Sequence, residues 1–196
     1  NDPNIVAAGG LLKHSDGSPQ LSCANNLTLW AVVCEQLWLE KAFRNVAFFS
    51  PYWLRPGGQT RQVAQVMGAC LMLRPVELFD ERFFLYCEDT ELCRRLTSHG
   101  KILYVPEAEF LHDLGASSTQ NRWLSVARYN RGKELYFRIH HGALSSFVCL
   151  LVNRFGAVLR LIAWSVAAIF TGLRKRSQAS LFWKVLTAPI KGPPTR

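Results

Sequence analysis

Three carboxylates, Glu88, Asp89 and Glu91, follow directly on a cluster of aromatic residues. All of them lie in the stretch FFLYCEDTELCRRL, residues 83–96. Negative charges so close together raise one another's pKa, so the group needs either a local structural use or a chemical one. A carboxylate fixed at the start of a helix and walled by aromatic rings suits removal of a proton from a hydroxyl group, because aromatic faces pack against sugar rings.

The same acids also have a purely structural explanation. Asp89 is a preferred residue type for a helix N-cap, and Glu91 in the first turn suits the positive end of the helix dipole. Arg94 and Arg95 would then neutralise the acids one turn later. This alternative accounts for the charges but leaves the aromatic cluster unexplained.

A mixed α/β domain is predicted to position these groups, because strand and helix patterns alternate along the chain. Buried strands are indicated by continuous apolar runs, and helices by apolar residues at helical spacing. The predicted elements are a strand over 4–12, a helix over 30–43, a strand over 62–73, a helix over 89–99 that ends at Gly100, and two short strands over 101–106 and 108–112.

The two parts of the chain differ in charge. Residues 1–113 carry 10 Lys or Arg against 13 Asp or Glu, whereas residues 114–196 carry 13 basic residues against one acid, Glu134. With 49% hydrophobic and 19% charged residues overall, the composition excludes a disordered chain. Because the basic part is also the more apolar one, it favours an anionic membrane surface over nucleic acid as its partner.

The apolar part is predicted to be helical, with a basic helix over 122–140 followed by an apolar stretch over 142–173. Within the stretch 142–173, the longest run without a charged residue is 161–173, which is 13 residues long. This is shorter than the roughly 20 residues needed to cross a bilayer. We therefore predict a helix or hairpin lying in the membrane interface. The alternative is a buried helix that packs on the globular part.

Two further features suit an interfacial location. Trp164 and the basic cluster 174–176 would anchor the helix at the lipid headgroups, and residues 180–186 form a second short amphipathic segment.

The cysteines form no C-x-x-C pair and no zinc-binding spacing. Most of them lie in apolar runs, so we predict reduced core residues of a cytosolic protein. They are Cys23, Cys34, Cys70, Cys87, Cys93 and Cys149.

Residues 68–74 (GACLMLR) and 79–112 (FDERFFLYCEDTELCRRLTSHGKILYVPEAEFLH) together resemble the acceptor half of family 2 glycosyltransferases of the GT-A fold. The match is best to the bacterial rhamnosyltransferase-like branch, which builds cell-wall, O-antigen and exopolysaccharide chains. It is strong over 66–118, weaker over 4–23 and only general in the apolar tail.

The resemblance implies an α/β fold class: the C-terminal half of a GT-A mixed sheet with helices, followed by a basic, apolar helical tail associated with the membrane. The implied boundaries are 1–120 for the acceptor-side part of the domain, 121–142 for a basic helical linker and 143–196 for the tail.

The resemblance also implies catalytic roles. The family's Glu-Asp motif falls on Glu88 and Asp89, and Asp89 would be the general base that deprotonates the acceptor hydroxyl as it attacks the anomeric carbon with inversion. Glu91 stands where the family usually has a second Asp. Arg95 occupies an arginine position that would hold the acids or a phosphate, with a structural ion pair as the alternative.

Further substrate contacts follow from the same resemblance. Gly68 and Ala69 match small residues that let the backbone approach the substrate, while Phe84 and Tyr86 would contact the sugar or belong to the core. His112 matches a histidine that completes the shell of the divalent metal in some relatives. Its alternative is a hydrogen-bonding residue without a metal.

The implied activity is transfer of a sugar from a nucleotide-sugar donor to a lipid-linked or glycan acceptor, at the cytoplasmic face of the bacterial inner membrane. The cofactor would be Mg²⁺ or Mn²⁺. No Asp-x-Asp occurs in the sequence, so the main metal ligands and the donor site are expected in an N-terminal half outside it, and the isolated 196 residues are expected to be inactive.

The sequence departs from the family pattern in two other places. The link between Arg74 and Phe79 is shorter than usual, and residues 120–123 (QNRW) are one residue short of the Q-x-x-R-W signature of processive synthases. A single sugar addition is therefore predicted. The rival functions are a non-catalytic membrane-surface scaffold that retains the fold, and a basic nucleic-acid binder.

Overall fold

The computed structural model of the chain describes residues 2–113, 121–171 and 174–189. It is a mixed α/β fold with a four-stranded sheet of order β3-β6-β1-β5 and a two-stranded sheet of β2 and β4. The strands are β1 (Ile5–Lys13), β2 (Cys23–Ala24), β3 (Arg61–Val63), β4 (Gln65–Val66), β5 (Leu71–Leu73) and β6 (Lys101–Leu111). The helices are α1 (Leu29–Gln36), α2 (Leu39–Ala42), α3 (Glu88–Leu96), α4 (Arg122–Phe170) and α5 (Arg176–Thr187). The predicted α/β class and the long apolar helix are confirmed.

Strands β1 and β6 run parallel at the centre of the larger sheet, and β3 and β5 flank them in antiparallel pairs. Most residues of β1 are buried, as expected for a central strand that is covered on both faces. Since parallel strands end at the same edge of a sheet, Lys13 at the end of β1 pairs with Leu111 at the end of β6.

Strand β6 was predicted as two short strands, and this prediction is wrong. One strand continues through Pro106 because the pairing with β1 shifts between Gly10 and Leu11, whose partners are Val105 and Glu109. The unpaired residues form a bulge, and a bulge can accommodate a proline, which has no N–H to donate to the ladder.

Helix α3 covers the sheet with its apolar side. Leu92, Cys93 and Leu96 are fully buried and pack in one cluster with Ile102 and Tyr104 of β6. This packing fixes the direction of α3, and therefore the place where its first turn, with the three carboxylates, meets the rest of the molecule.

The end of α3 differs from its prediction. The helix ends at Leu96, and Gly100 is not one of the glycines with positive φ, so it is not the left-handed stop that was expected. A Cβ at Gly100 would collide with the carbonyl oxygen of Asn4 and lie 2.7 Å from Cγ1 of Val6. Glycine is needed there because the chain passes close to β1.

Two other predicted elements are interrupted. The predicted helix over 30–43 breaks at Trp38, whose backbone is left-handed with φ of 58°, and so becomes α1 and α2. The predicted strand over 62–73 is divided by a 3₁₀ turn at Gly68–Cys70. As a result Gly68 lies in a turn, where its backbone N–H is free to point at α3.

Helix α4 is broken at Gly142, with φ of 84° and ψ of −179°. That backbone conformation is essentially restricted to glycine. The basic helix and the apolar helix that were predicted are therefore the two halves of α4, joined at a corner.

Two arginines within the apolar half of α4 bind the ends of other helices. Arg154 donates hydrogen bonds to the carbonyls of Val185 (2.9 Å) and Ala188 (3.1 Å) at the end of α5. Arg160 does the same for the carbonyls of Glu35 (2.9 Å) and Gln36 (2.8 Å) at the end of α1. The last carbonyls of a helix lack partners within that helix, so both charges attach the tail to its neighbours.

Helix α4 is long and apolar enough, by length and composition, to cross a bilayer. Its most apolar 18-residue window has a mean hydropathy of 1.7, and 22% of that window is buried. A helix in the core of a soluble protein would be mostly buried, so the buried-helix alternative is disfavoured. The helix is suited to association with a membrane; whether it crosses or lies in the interface stays a prediction.

All six cysteines are free, and five of them are buried. The prediction of unpaired core cysteines is confirmed, with Cys70 half-buried as the exception.

Candidate active site

The carboxylates lie directly after a backbone turn of unusual conformation. Tyr86 and Cys87 have positive φ values of 72° and 66°, a region that costs a non-glycine residue on the order of 1–3 kcal/mol. Helix α3 begins at Glu88, and Cys87 is its N-cap without a side-chain hydrogen bond. The prediction that Asp89 is the N-cap is therefore wrong, because Asp89 is the second residue of the helix.

Two backbone N–H groups fix the carboxylate of Asp89. Gly68 donates to Oδ2 over 3.0 Å, and Thr90 donates to Oδ1 over 2.8 Å. Burial raises the pKa of Asp89, and the hydrogen bonds from Gly68 and Thr90 partly oppose that rise. The side chain is half-buried, so the structure presents an oriented carboxylate with raised proton affinity and some access from outside.

Glu88 is the neighbour of Asp89 and is also half-buried. Burial raises its pKa, and the charge of Asp89 adds to that rise. Its Oε2 atom has no hydrogen-bond partner within the described ranges. Glu88 thus carries a buried hydrogen-bond acceptor next to Asp89 that the described residues leave unsatisfied.

Sequence reasoning missed three residues that hold the start of α3. The buried hydroxyl of Tyr52 donates to Oε1 of Gln65 over 2.8 Å, and Nε2 of Gln65 donates to Oγ1 of Thr90 over 3.0 Å. This chain connects β4 to the residue that donates to Asp89. The available signal was Gln65, a polar residue within an apolar strand.

Helix α4 supports the strained turn from the other side. A Cβ at Gly132 would lie 2.7 Å from the carbonyl oxygen of Tyr86 and 3.0 Å from Sγ of Cys87. Cys87 in turn directs its Sγ to the carbonyl of Tyr129, 3.9 Å away. Glycine at position 132 therefore allows the helix to approach the turn that precedes the carboxylates.

We expect Gly132→Ala to lower the free energy of unfolding by about 1–3 kcal/mol, because the new methyl group overpacks this contact. A glycine-to-alanine change within a helix otherwise stabilises it by up to about 1 kcal/mol. The sign of the change in unfolding free energy therefore shows whether the close contact exists. Thermal unfolding compared with Ser125→Ala, on the same helix, measures it. A stabilised Gly132→Ala variant would contradict the contact.

Glu91 and Arg95 form a network beneath the site. The carboxylate of Glu91 is 1% exposed and accepts hydrogen bonds from Nε (2.8 Å) and Nη2 (2.9 Å) of Arg95. Arg95 also pairs with Glu77 and donates to the carbonyl of Leu78 over 2.6 Å. Their predicted substrate contacts stay predictions, and the contacts favour the alternative of a structural ion pair.

The aromatic residues separate into core and surface. Phe83 is buried, whereas Phe84 is 60% exposed and Tyr86 is half-buried. The guanidinium of Arg128 lies 4.7 Å from the centre of the Phe84 ring. Arg128 thus covers part of the Phe84 ring, and the rest of the ring is exposed five residues before Asp89 in the chain, where an aromatic ring could pack against a sugar.

The predicted small residues lie in a turn that contacts the start of α3, whereas the predicted metal ligand directly follows strand β6. Gly68 contacts Asp89 directly, and Ala69 follows it in the same 3₁₀ turn. His112, at the end of β6, bonds through Nδ1 with Oε1 of Gln20 over 3.0 Å.

The described residues contain no group of three or more His, Cys, Asp or Glu side chains able to hold a metal. They therefore do not by themselves form the predicted Mg²⁺ or Mn²⁺ site, and the metal role of His112 stays a prediction. No chemical step is assigned to a metal held by this chain.

Comparison with known proteins shows that the chain is related to glycosyltransferases over part of its length. It is 30% identical over 112 residues to N-acetylglucosaminyl-diphospho-decaprenol L-rhamnosyltransferase from two strains of Mycobacterium tuberculosis. The match covers 48% of this chain and 36% of that protein, so the chain spans about a third of the length of the curated relatives it matches.

No protein-family profile matches the chain, and no solved structure matches it. A glycosyltransferase role in general is thus supported by a distant, partial relative. The finer assignments, family 2 and the C-terminal half of a GT-A fold, stay predictions.

Proposed function

We propose that this chain forms the acceptor-side part of an inverting glycosyltransferase, with Asp89 as the general base. The observation that carries the proposal is the geometry of Asp89: two backbone N–H groups orient its half-buried carboxylate, five residues after the exposed ring of Phe84. A general base must be held in a fixed place and have a pKa tuned toward the working pH. Asp89 meets both conditions.

In the proposed reaction, Asp89 accepts the proton of an acceptor hydroxyl. The hydroxyl oxygen forms a bond to the anomeric carbon of the donor sugar, and the bond from that carbon to the nucleoside diphosphate breaks with its electron pair on the leaving group. Attack from the opposite face inverts the configuration. Glu88 accepts a hydrogen bond from the acceptor sugar, and Phe84 and Tyr86 pack against its ring.

The donor would be a nucleotide-activated sugar bound by residues outside this sequence, with a divalent cation to neutralise the leaving diphosphate. The acceptor would be lipid-linked or a glycan. The name of the mycobacterial relative, which specifies a diphospho-decaprenol acceptor, and the apolar half of α4 support a lipid-linked one. The proposed location is the cytoplasmic face of a bacterial inner membrane.

The proposal is tested by assaying the natural gene product that contains this sequence for sugar transfer. Purified protein in detergent is incubated with radiolabelled nucleotide-sugars, Mg²⁺ or Mn²⁺ and a prenyl-diphosphate-linked N-acetylglucosamine, and the glycolipid product is counted. Product formation supports the proposal. Binding to anionic vesicles with no transfer to any lipid-linked or glycan acceptor would support the scaffold alternative instead.

We expect kcat/KM for transfer to fall as the pH decreases through the pKa of Asp89, because only the ionised carboxylate can accept a proton. Burial raises that pKa, so the acid limb of the profile lies above the ordinary aspartate value of about 3.9. A pH–rate profile measures this limb. An acid limb at or below the ordinary value would show that the rate is not governed by Asp89.

A further inference from the structure

A groove of about 900 Å³ lies between the loop Glu81–Tyr86 and helix α4. Tyr86 in its wall lies three positions before Asp89 in the chain. Phe147 and Leu150 of the apolar half of α4 also line it. That half runs back along the basic half after the corner at Gly142, since Oγ of Ser146 donates to the carbonyl of Glu134 over 2.9 Å. The groove therefore has basic and apolar side chains in one wall.

Part of the groove wall is basic. Arg82, Arg128, Arg131 and Arg138 line it, against the two acids Glu81 and Glu134. On α4 the three arginines recur at spacings of three and seven residues, which places them on one side of the helix. Such a row of guanidinium groups suits a ligand with more than one negative charge.

Two of these arginines are not neutralised. Arg82 is held by both oxygens of Asp80, at 2.5 to 3.0 Å, and Arg131 lies 3.8 Å from Glu134. Neither Arg128 nor Arg138 pairs with a carboxylate in the part of the chain that the structure describes. These two are the guanidinium groups available to an anion.

Arg128 also carries an unpartnered donor. Its Nε atom is buried and has no hydrogen-bond partner among the described residues, while its guanidinium covers the ring of Phe84 at 4.7 Å. A buried donor without a partner is unfavourable, and an anionic oxygen bound in the groove would satisfy it.

Beyond Gly142 the lining becomes apolar. Phe147 is 54% exposed, and Leu150 follows it one turn later on the same side of the helix. These apolar side chains, close to the arginines, suit a hydrocarbon chain joined to the anionic group.

We infer that this groove binds the diphosphate of a polyprenyl-diphosphate acceptor. Arg128 and Arg138 bind its phosphate oxygens, and the prenyl chain follows Phe147 and Leu150. Guanidinium groups and apolar side chains thus line the same groove, as a ligand with a diphosphate joined to a hydrocarbon chain requires. The inference rests on the proposed function, since it names the subsite for that acceptor.

The test is a binding measurement that requires no donor and no turnover. Detergent-solubilised natural protein is titrated with farnesyl diphosphate, and separately with inorganic diphosphate, farnesol and phosphatidylglycerol vesicles. We expect farnesyl diphosphate to bind at least about 10-fold more tightly than inorganic diphosphate, because the chain buries apolar surface. Equal affinities for the two would overturn the inference.

Arg128→Ala and Arg138→Ala are each expected to weaken farnesyl diphosphate binding by about 10-fold or more, because each removes a charge-assisted contact. Arg122→Ala, an exposed arginine of the same helix outside the groove, is the matched control and should leave the affinity unchanged. Equal losses in all three variants, or a loss limited to vesicle binding, would indicate a general basic surface and overturn the inference.

Phe147→Ser is expected to reduce the advantage of farnesyl diphosphate over inorganic diphosphate while leaving the latter's affinity unchanged. Circular dichroism verifies that each variant is folded. Tight binding of farnesyl diphosphate without sugar transfer would support the binding groove and refute the proposed function. Sugar transfer that is insensitive to Arg128→Ala and Arg138→Ala would support the proposed function and refute the binding groove.

Discussion

If Asp89 is the general base, we expect Asp89→Asn to lower the rate of sugar transfer by a factor on the order of 10²–10⁴, the usual contribution of a general base. The amide cannot accept the proton of the attacking hydroxyl at any pH in the working range. It keeps one oxygen as an acceptor for either Gly68 or Thr90. Single-turnover transfer by the natural gene product, with labelled donor and a lipid-linked acceptor, measures the loss.

The matched control is Glu107→Gln, which makes the same carboxylate-to-amide change at an exposed position whose carboxylate accepts a hydrogen bond from Thr60. Its activity should equal that of the unchanged protein. Because Asp89→Asn leaves one backbone N–H facing an amide nitrogen, a stability loss of about 1–3 kcal/mol is expected with it. Transfer at the normal rate by a folded Asp89→Asn protein would exclude Asp89 as the base.

Replacing Arg95 by Ala lowers the free energy of unfolding by about 3 kcal/mol, at the lower end of the range for breaking a buried pair. The carboxylate of Glu91, 1% exposed, then loses its principal cationic partner. Glu77 loses the same partner but is partly exposed and retains His99 at 2.9 Å, so most of the loss comes from Glu91. Chemical unfolding followed by circular dichroism measures it.

Arg94→Ala is the control, because Arg94 is the adjacent arginine of α3 and is exposed. It should change the free energy of unfolding by less than about 0.5 kcal/mol, as surface substitutions usually do. A double-mutant cycle with Glu91→Gln isolates the pair. If Arg94→Ala and Arg95→Ala are equally mild, the pair does not stabilise the fold.

The sequence allowed the nature of the fold to be predicted more closely than its boundaries. Helix α3 and strand β1 can be predicted from the spacing of their apolar residues, since both bury these side chains in the same core cluster. The pairing of β6 depends on β1, which lies far away in the sequence, so local sequence patterns could not show that β6 continues through Pro106. The break at Trp38 was missed for the same reason.

The candidate site was likewise predictable from the sequence only in part. The carboxylates at Glu88 and Asp89 stand out in the sequence because like charges beside aromatic residues need an explanation. The chain of hydrogen bonds from Tyr52 through Gln65 to Thr90 joins positions far apart in the sequence, and the polar residue Gln65 within an apolar strand does not reveal its partners. The positive φ of Tyr86 was equally unpredictable, because a bulky residue seldom adopts it.

The corner at Gly142 has a consequence for how this region can vary in evolution. A helix turns by about 100° and rises about 1.5 Å per residue, so one residue inserted before or after the corner would rotate Phe147 away from the side that carries Arg138. The number of residues in each half of α4 thus determines which of its side chains face the groove. Natural variants should tolerate substitutions between Arg128 and Leu150 but not changes in the number of residues.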